Sequence, residues 1–466
     1  MKKKTILLLM LLGGLLTSCF KDDEVVLDDY CYITNVSLGT LKRWNQTTDS
    51  LGNPVSYLTS YSANTFQMTI DQRAEVIENR DSLLYGTDLS AALVTITFQG
   101  ATMLYRPAAD STAEWTAYSS KDSMDLRQPL HLLVVSNDGA SNRTYTLRLN
   151  VHQQEGDSLY WTHRDSAVAQ LEGMEAMHAE VLGDELHVLG RTDQGIVLAT
   201  RPVTGGSEGW VRRTTDLPAD AQVETLCRMG GRLYVGTTGG VLYGSDDALN
   251  WTSLATIGLG ARLAGAGKTC LYAVAGRSVM RSTDGLVWDT ETLDDDSALL
   301  PDTSVHLITF DQEDGSSRVV MVGYRSAAVG QDAVPQDTAA VVWNKAWTAR
   351  EREEDAEWVY FSRTVENRWL CPRLQSLNVL AYDGKCMAFG GASELTTTTH
   401  QALDALYFSR DYGLTWKPDY ELHLPTALLG VGGPVSGAVD HDKYIWIIAN
   451  REVWRGRINR LGFLRQ

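Results

Sequence analysis

The residues of this sequence that could support the most kinds of chemistry are its aspartates and glutamates. The 466-residue chain contains 58 Asp and Glu residues, and hydrolysis of a glycosidic bond needs only two carboxyl groups across a cleft. The sequence singles out no such pair, so we assign no catalytic residue. Two acidic runs, 294–296 and 311–315, could offer oxygen ligands to calcium, but solvated loops are the simpler interpretation. The nine His are scattered and no nucleotide-binding or metal-binding motif occurs, so we predict no metal site and no cofactor.

A short turn pattern recurs along the C-terminal two-thirds of the chain. An Asp in such a turn accepts backbone N–H groups, a Gly permits positive φ, and a Trp folds back to bury apolar area. The copies are Ser409, Asp411, Gly413 and Trp416; Ser282, Asp284, Gly285 and Trp288; and Ser245, Asp247 and Trp251, which lacks the Gly. A worn copy spans 362–369. The repetition predicts one supersecondary unit built several times.

The copy at 409–416 resembles the Asp-box, S-x-D-x-G-x-x-W, of sialidase-like β-propellers and sortilin-like receptors. In that family the box is a structural turn away from the catalytic centre, which implies a structural role for all the copies here. Sialidases also carry an F/Y-R-I-P segment near the start of the propeller. Arg201-Pro202 lacks the preceding pattern and Cys371-Pro372-Arg373 has the wrong order. The resemblance therefore implies a propeller and disfavours sialidase activity.

Short strands joined by tight turns recur from Ser158 onward, at spacings near the length of a propeller blade, roughly 40–50 residues. We count six units, and a seventh stays open because the unit from about 305 to 371 could contain two. The last unit offers three strands, and 159–162 could supply its fourth, which would hide two sheet edges. We therefore expect a β-propeller over 158–466, with six blades and seven as the alternative.

The residues before a polar break at 152–158 predict a separate all-β domain. Period-two alternation at 65–70, 93–98 and 144–151 indicates strands, and Ser136-Asn137-Asp138-Gly139 is a strong turn signal. This region resembles the closing hairpin of bacterial Ig-like or cadherin-like modules. We expect an Ig-like β-sandwich over 30–152, and an all-β fold for the chain.

The N-terminus has the features of an export signal. Three Lys precede an apolar run at 6–16 that is too short to span a membrane as a stable helix. Leu16-Thr17-Ser18-Cys19 then resembles a bacterial lipoprotein box, which implies cleavage before Cys19 and acylation of that residue; an ordinary secretory signal is the alternative. We expect a signal peptide at 1–18 and an acidic tether at 19–29.

The acidic residues that follow Cys19 resemble the export signal of Bacteroidota-type surface lipoproteins, which implies a lipid-anchored protein of the outer membrane, exposed at the cell surface. The periplasmic face of that membrane is the alternative. The formal net charge of −17 disfavours nucleic acid as a partner and favours solubility.

Long connections in two of the repeated units mark candidate binding loops, because binding residues are often placed on loops of a rigid scaffold. The loops run from about 325 to 338 and from about 391 to 404, and tolerated insertions are the alternative interpretation. In propellers such connections lie on one face. The candidate binding residues are Arg325, Asp332, Glu394 and His400.

A loose pattern, D-[S/T]-[A/I/L/V/M/T], resembles the acceptor sequence of a Bacteroidota-type glycosylation system. The candidate O-glycosylation residues are Ser50, Ser82, Ser111, Ser123, Ser158, Ser166, Ser297 and Thr338. The alternative is that Asp-Ser pairs are common in turns, where each side chain bonds the local backbone.

The whole mature chain resembles a Bacteroidota-type lipoprotein family of unknown function that pairs an Ig-like domain with a propeller. The resemblance transfers no catalytic residue. The leading hypothesis is a non-catalytic surface lipoprotein that binds a glycan or protein through one propeller face. One alternative is a carbohydrate-active hydrolase with an unrecognised carboxylate pair, and another is a scaffold subunit of an envelope complex.

Overall fold

The computed structural model of the protein describes residues 28–48, 53–205, 209–312, 314–326, 339–361, 367–395, 400–419 and 422–462. The chain has two compact units, one ending at Gly156 and the other beginning at Asp157. The described residues form strands, connections and short 3-10 helices, which confirms the all-β class. None of their helices is long and apolar enough to cross a membrane. The 3-10 helices are Ala169–Leu171, Val223–Thr225, Ser297–Leu299, Glu353–Asp355, Thr426–Leu428 and Asn459–Gly462.

The first unit contains three sheets in its described residues. Their orders are β1-β7-β10, β3-β2-β6 and β4-β5-β12-β11-β8-β9. The strands are β1 (Tyr32–Leu38), β2 (Thr40–Thr48), β3 (Pro54–Ser62), β4 (Met68–Asp71), β5 (Val76–Asn79), β6 (Thr87–Asp88), β7 (Ala92–Gln99), β8 (Thr102–Pro107), β9 (Thr116–Ala117), β10 (Ser123–Met124), β11 (Leu130–Val135) and β12 (Asn142–Arg148).

One hydrophobic core holds these sheets together. Alternate residues of β7 are buried, and β11 shows the same alternation, as period two requires when one face of a strand meets a core. The predicted turn joins β11 to β12: Gly139 has a φ of +69°, and its N–H donates to the Ser136 carbonyl at 3.1 Å. Most pairs in this unit are antiparallel, but β12 pairs with β5 in parallel.

The second unit contains six four-stranded antiparallel sheets in its described residues. Sheet 1 is β14 (Ala176–Leu182), β15 (Glu185–Thr192), β16 (Gly195–Pro202) and β17 (Val211–Thr214); sheet 2 is β18 (Cys227–Met229), β19 (Arg232–Gly236), β20 (Val241–Ser245) and β21 (Thr252–Thr256); sheet 3 is β22 (Arg262–Ala266), β23 (Leu271–Ala275), β24 (Ser278–Ser282) and β25 (Asp289–Thr290). Sheet 4 is β26 (Thr303–Asp311), β27 (Ser317–Tyr324), β28 (Val341–Trp347) and β29 (Val359–Tyr360); sheet 5 is β30 (Asn378–Tyr382), β31 (Lys385–Phe389), β32 (Tyr407–Ser409) and β33 (Lys417–Pro418); sheet 6 is β34 (Val435–Val439), β35 (Ile445–Ala449), β36 (Glu452–Ile458) and β13 (Leu159–Asp165).

The first strands of the six sheets contact one another in a closed ring, from β14 through β18, β22, β26 and β30 to β34 and back to β14. The prediction that the start of the domain completes the last sheet is confirmed, because β13 pairs antiparallel with β36. The described part of 303–360 forms one sheet, where the sequence had left two open.

The core of this unit is divided into hydrophobic wedges, each filling the gap between two neighbouring sheets. A Trp side chain lies in or against every wedge. From the gap between sheets 6 and 1 onward, representative residues are Trp446, Trp251, Trp288, Trp358, Trp416 and Trp161. A large rigid ring suits a wide gap, because one side chain buries much apolar area with little loss of conformational entropy.

Candidate functional site

The full turn copy at 409–416 is shaped by hydrogen bonds between its own residues. Ser409 Oγ donates to Asp411 Oδ1 at 2.7 Å, and the Gly413 N–H donates back to Ser409 Oγ at 2.7 Å. The two oxygens of Asp411 accept the backbone N–H and the hydroxyl of Thr415 at 2.8 and 2.6 Å. The indole N–H of Trp416 then donates to the Gly413 carbonyl at 2.9 Å. These bonds close the turn and direct the Trp416 ring at the core, while the Trp416 N–H donates outside the turn, to the Trp369 carbonyl at 2.8 Å.

The copy at 245–251 makes the same kind of turn without Gly. Ser245 Oγ donates to Asp247 Oδ1 at 3.0 Å, and that oxygen accepts the Asn250 N–H at 2.8 Å. Hydrogen bonds from the Asn250 backbone and amide are the main reason that the pKa of Asp247 falls to about 2. Ala248 takes the left-handed conformation, with φ of +60°, and its carbonyl accepts the Trp251 indole N–H at 2.9 Å.

The copy at 282–288 is looser. Ser282 Oγ donates to Asp284 Oδ1 at 3.1 Å, and Gly285, with φ of +78°, donates its N–H to Ser282 Oγ at 2.8 Å. Trp288 is partly buried, and its indole N–H contacts no acceptor among the described residues. The worn copy lies partly outside the described residues, and its Trp369 side chain is 49% exposed.

The three box tryptophans pack between their own sheet and the preceding one. Trp251 joins the core between sheets 1 and 2, Trp288 packs between sheets 2 and 3, and Trp416 lies between sheets 4 and 5. The side chains of Trp251 and Trp416 are 7% and 2% exposed. These residues lie within the packing of the fold.

The two candidate binding loops meet at Arg373, a residue that the sequence had not selected. Arg373 Nη1 donates to the Arg325 carbonyl at 2.7 Å, while Nε donates to Glu394 Oε2 at 2.7 Å. Its guanidinium lies 4.8 Å from the centre of the Tyr324 ring. Arg325 and Glu394 therefore belong to one cluster at the ends of sheets 4 and 5, whereas Asp332 lies outside the described residues.

His400 lies in a separate contact at the end of the second loop. Its Nδ1 is 2.9 Å from Asp404 Oδ2 and 3.0 Å from the Tyr407 hydroxyl. The carbonyl of His400 accepts the Ser393 N–H at 3.0 Å, so the loop returns to its starting strand end next to Glu394.

A cavity of about 300 Å³ occupies the middle of the ring and is lined by residues of the first strands of the sheets. We call this space the central channel. Alternate residues of β14 are partly accessible, which places His178 and Glu180 on the channel side, and β26 contributes His306. A second cavity of about 250 Å³ shares His178 and His306 and extends to Glu224 and Arg262.

Enclosure by the surrounding strands changes the ionisation of the channel residues. Burial lowers the pKa of His178 to about 4. Burial, together with the nearby His178, lowers the pKa of His306 to about 3. Burial raises the pKa of Glu180 to about 7, although Arg228 opposes this shift. At neutral pH both imidazoles are therefore uncharged, and the Glu180 carboxyl keeps its proton to a higher pH than an exposed glutamate does.

The channel residues were missed by the sequence interpretation, which looked for motifs and found scattered His. The signal was the alternation in Ala176-Met177-His178-Ala179-Glu180-Val181, which puts both polar residues on one face of an otherwise apolar strand. Among the described residues, no group of three His, Cys, Asp or Glu could hold a metal ion, and the five described cysteines are free thiols.

The remaining candidate residues differ in accessibility. Ser111, Ser123 and Ser166 are exposed, with Ser123 in the short strand β10. Ser82, Ser158 and Ser297 are partly buried. Cys19, Ser50 and Thr338 lie outside the described residues.

Comparison of the chain with solved structures gives similarities at low identity. A DUF4623 family protein from Bacteroides eggerthii is 12% identical, with 91% of this chain and 98% of that chain covered and a TM-score of 0.36. YCF48 from Cyanidioschyzon merolae is 13% identical, covering 64% and 98% of the two chains with a TM-score of 0.33. A streptogramin B lyase is 8% identical, covering 65% and 99% with a TM-score of 0.34. A search of the curated proteins gives no match.

Two family models match the chain and together cover most of it. Residues 36–149 match the N-terminal domain of DUF6242, a domain of unknown function, and residues 155–466 match the DUF6242 beta propeller domain. The second match agrees with the ring of four-stranded sheets. The chain therefore belongs to the DUF6242 family, and its C-terminal domain is a β-propeller.

Proposed function

We propose that this protein is a non-catalytic, lipid-anchored surface protein of an outer membrane, and that it binds a glycan or protein through one propeller face. In this proposal each of the six sheets is one blade, and the N-terminal unit is an Ig-like spacer between membrane and propeller. The binding face is the one that carries the long connections of sheets 4 and 5.

The observation that supports this face most directly is the cluster at Arg373. The β27–β28 connection and the β31–β32 connection belong to neighbouring sheets, and Arg373 bonds to Arg325 in one and Glu394 in the other. The guanidinium fixes Arg325 and Glu394, which lie in the described ends of the two loops, relative to each other. Such preorganisation lowers the entropy lost on binding.

The test is binding by the full mature chain and its variants, measured on a glycan array and by crosslinking pull-down from native membranes. Arg373→Ala should weaken capture at least tenfold, because it removes the contacts that join Arg325 to Glu394. Arg350, an exposed arginine in the β28–β29 connection at the other end of sheet 4, provides the matched control. Equal capture by wild type and Arg373→Ala would rule out this face as the binding surface.

A second candidate function, a carbohydrate-active hydrolase, is favoured by one observation in the channel. Glu180 and Glu224 line the same cavity, and a carboxyl group with a pKa near 7, as Glu180 has, suits a general acid. A panel of aryl glycosides assayed between pH 5 and 8 tests this function. Turnover that Glu180→Gln abolishes would favour the hydrolase, whereas no turnover on any member would leave the binding function.

The anchor in this proposal is Cys19. Metabolic labelling with an alkynyl fatty acid should mark the wild type and leave Cys19→Ser unlabelled as a precursor. Deletion of 21–24 should retain the label but protect the protein from protease added to whole cells. Equal labelling of wild type and Cys19→Ser would remove the lipoprotein from the proposal.

Glycosylation of the mature chain is also part of the proposal, with Ser111 and Ser166 favoured by their exposure. A hydroxyl in an accessible loop is within reach of a transferase, and the attached sugar would add solubility. Intact-mass spectrometry of protein from its native host should exceed the mass of the lipidated polypeptide. A mass equal to that polypeptide would end this part of the proposal.

A further inference from the structure

Two neighbouring first strands of the ring are irregular near the end where they begin. The register of β22 against β23 shifts between Leu263 and Gly265. That of β26 against β27 shifts between Thr303 and His306. In the described residues, the first strands of the other four sheets pair with their second strands without a shift. A bulge re-aims the side chains beside it and is common next to binding sites.

The cavity of about 250 Å³ lies at this end of the central channel, which we call the channel entrance. Its lining includes the starting residues of five first strands, Ala176, Arg262, Thr303, Asn378 and Val435. Ser304 and Ser376 also line it, and Ser376 is exposed, so the cavity reaches the surface. Ser376 follows Arg373 by three residues, so the entrance opens beside the loop cluster.

Arg262 gives the channel entrance a positive charge without a partner. Its side chain is partly accessible and lines the cavity. Its guanidinium forms no hydrogen bond or ion pair with the described residues. The other charged residue that lines this cavity, Glu224, lies 3.8 Å from Arg191 Nη2 and so has its own counter-charge. The entrance therefore carries one uncompensated positive charge in a chain whose net charge is −17.

The charged residues further along the channel do not neutralise Arg262. Glu180 and Arg228 both line the first cavity, and Arg228 is close enough to stabilise the Glu180 carboxylate. The channel histidines are uncharged at neutral pH. A guanidinium binds a carboxylate through two parallel hydrogen bonds, which are stronger than bonds between neutral groups. The charge balance therefore favours a ligand that carries a carboxylate.

The other polar groups of the entrance match hydroxyls. His178 and His306 are partly accessible and line both cavities, and their ring nitrogens form no hydrogen bond with the described residues. A neutral imidazole has one donor and one acceptor nitrogen, and a hydroxyl complements either. The hydroxyls of Ser304 and Ser376 are also unbonded within the described part of the chain. A carboxylate without hydroxyls would leave these groups unpaired.

Backbone strain and cavity size also favour a small, specifically held ligand. Ser304 and Ser376 have φ of +46° and +45°, a conformation that is costly for residues other than Gly and is found most often at functional sites. The two cavities, of about 300 and 250 Å³, are at the lower end of the size of small-molecule sites. This space suits a single sugar ring rather than a folded segment of protein.

We propose that the channel entrance binds a hexuronic acid residue of a glycan, with its carboxylate on Arg262 and its hydroxyls toward His178 and His306. This inference rests on the proposed function, since it names the class of sugar that the binding face would take. The loop cluster at Arg373 would then contact the sugars that follow.

The experiment is isothermal titration of the full mature chain with trisaccharides of glucuronic, galacturonic and mannuronic acid, each compared with its methyl ester. The ester removes the charge and keeps the ring and its hydroxyls. At least one acid should bind about tenfold more tightly than its ester, because a hydrogen bond to a charged group is the stronger one.

Arg262→Gln should abolish the preference for the acid and leave the affinity for the ester unchanged. Arg213→Gln is the matched control, because it removes an exposed arginine from β17 in sheet 1 and should keep the preference. His306→Leu should weaken binding of acid and ester alike severalfold, since it removes a partner of the hydroxyls. The comparison of acid with ester on the wild type needs no variant, so the test stays decisive if a variant fails to fold.

Equal affinity for acid and ester, or a preference that persists in Arg262→Gln, would overturn the inference. A peptide of three glutamates that binds as tightly as the best uronic acid would contradict a sugar ligand. Glycan capture that Arg373→Ala abolishes, but that does not distinguish acid from ester, would overturn the inference and leave the proposed function standing. Absence of any glycan or protein capture by the wild type would overturn both.

Discussion

The gap between sheets 4 and 5 and the gap between sheets 6 and 1 present the same packing problem and are filled in different ways. In the first gap, the Trp416 indole N–H donates to the Gly413 carbonyl within its own turn, which the Ser409 and Asp411 side chains close. In the second, two guanidiniums approach Trp446, with Arg201 at 5.2 Å and Arg455 at 5.0 Å from the ring centre. One solution is local and the other joins distant parts of the chain.

The gap between sheets 6 and 1, which we call the closing gap, contains ion pairs between residues that are not neighbours in sequence. Asp440 accepts the Trp446 indole N–H at 2.9 Å and a hydrogen bond from Arg455 at 2.7 Å. Asp165, which follows the bulge in β13, pairs with Arg201 from sheet 1. The chain begins and ends this domain in sheet 6, so its last gap must be joined by residues that come from both ends. A local turn can be copied from sheet to sheet, but this junction cannot.

The gap between sheets 4 and 5 should be the more sensitive of the two to loss of its Trp side chain. Trp416→Ala should lower the free energy of unfolding by about 3–5 kcal/mol, through lost burial and a cavity in the core. Thermal and chemical denaturation measure the change. Trp369→Ala, which removes a ring that is 49% exposed, should change stability far less. Similar stabilities of the two variants would contradict the packing role assigned to Trp416.

The closing gap should be destabilised most by a substitution that removes one charge of the Arg201–Asp165 ion pair. Arg201→Met should cost about 3 kcal/mol, because it leaves Asp165 buried beside the Trp210 N–H alone. Adding Asp165→Leu should recover part of the loss, since the double variant buries no charge. A double variant that is less stable than Arg201→Met would show that the pair contributes more than charge compensation.

Acid should affect the residues of the central channel but not the carboxylates of the local turns. His178 and His306 have pKa values of about 4 and 3, so they favour the folded state while neutral and lose that contribution as pH falls below the unfolded value of 6.5. Glu180, with a pKa raised to about 7, acts in the opposite direction over the same range.

The net loss from these three groups between pH 7 and pH 5 should be roughly 1–2 kcal/mol. Asp247 has a pKa of about 2, so its carboxylate stays ionised throughout this range and keeps its hydrogen bonds in the turn. Melting temperatures over the range test the prediction, and His178→Gln should flatten the dependence. A wild type whose stability does not fall, or a variant with an unchanged slope, would be evidence against the role of the channel histidines.

The smallest expected effects on stability come from substitutions at one equivalent position in two of the turn copies. Gly285→Ala should cost about 1–2 kcal/mol, because a side chain at φ of +78° is strained. Its Cβ would also lie 3.1 Å from Leu242 Cδ2. Ala248→Gly should change stability by less than about 1 kcal/mol, since relief of strain at φ of +60° offsets a lost buried methyl. Equal costs for both substitutions would show that φ does not govern this position.

Several features of the fold could be predicted from short stretches of sequence. The alternation at 93–98 predicted β7, and the turn at 136–139 predicted the hairpin that joins β11 to β12. The three-strand count in the last unit predicted that 159–162 would pair with β36. Each of these rests on a signal within about ten residues, or on a strand that would otherwise leave an open edge.

The candidate sites were less predictable, because their residues come together only through closure of the ring. His178 and His306 are far apart in sequence and meet across the channel, while Arg373 joins two loops that were each identified without it. Arg201 was considered in the sequence only as a failed sialidase signature, yet it forms the ion pair at the closing junction.

The sequence by itself determined the all-β class, the repeated turns and the closure of the last sheet, because strand period, turn chemistry and an unpaired edge act over short distances. Tertiary structure alone decided which polar residues face the channel and which charges share the closing gap. Those features depend on the relative positions of strands from opposite ends of the domain, which no local pattern encodes.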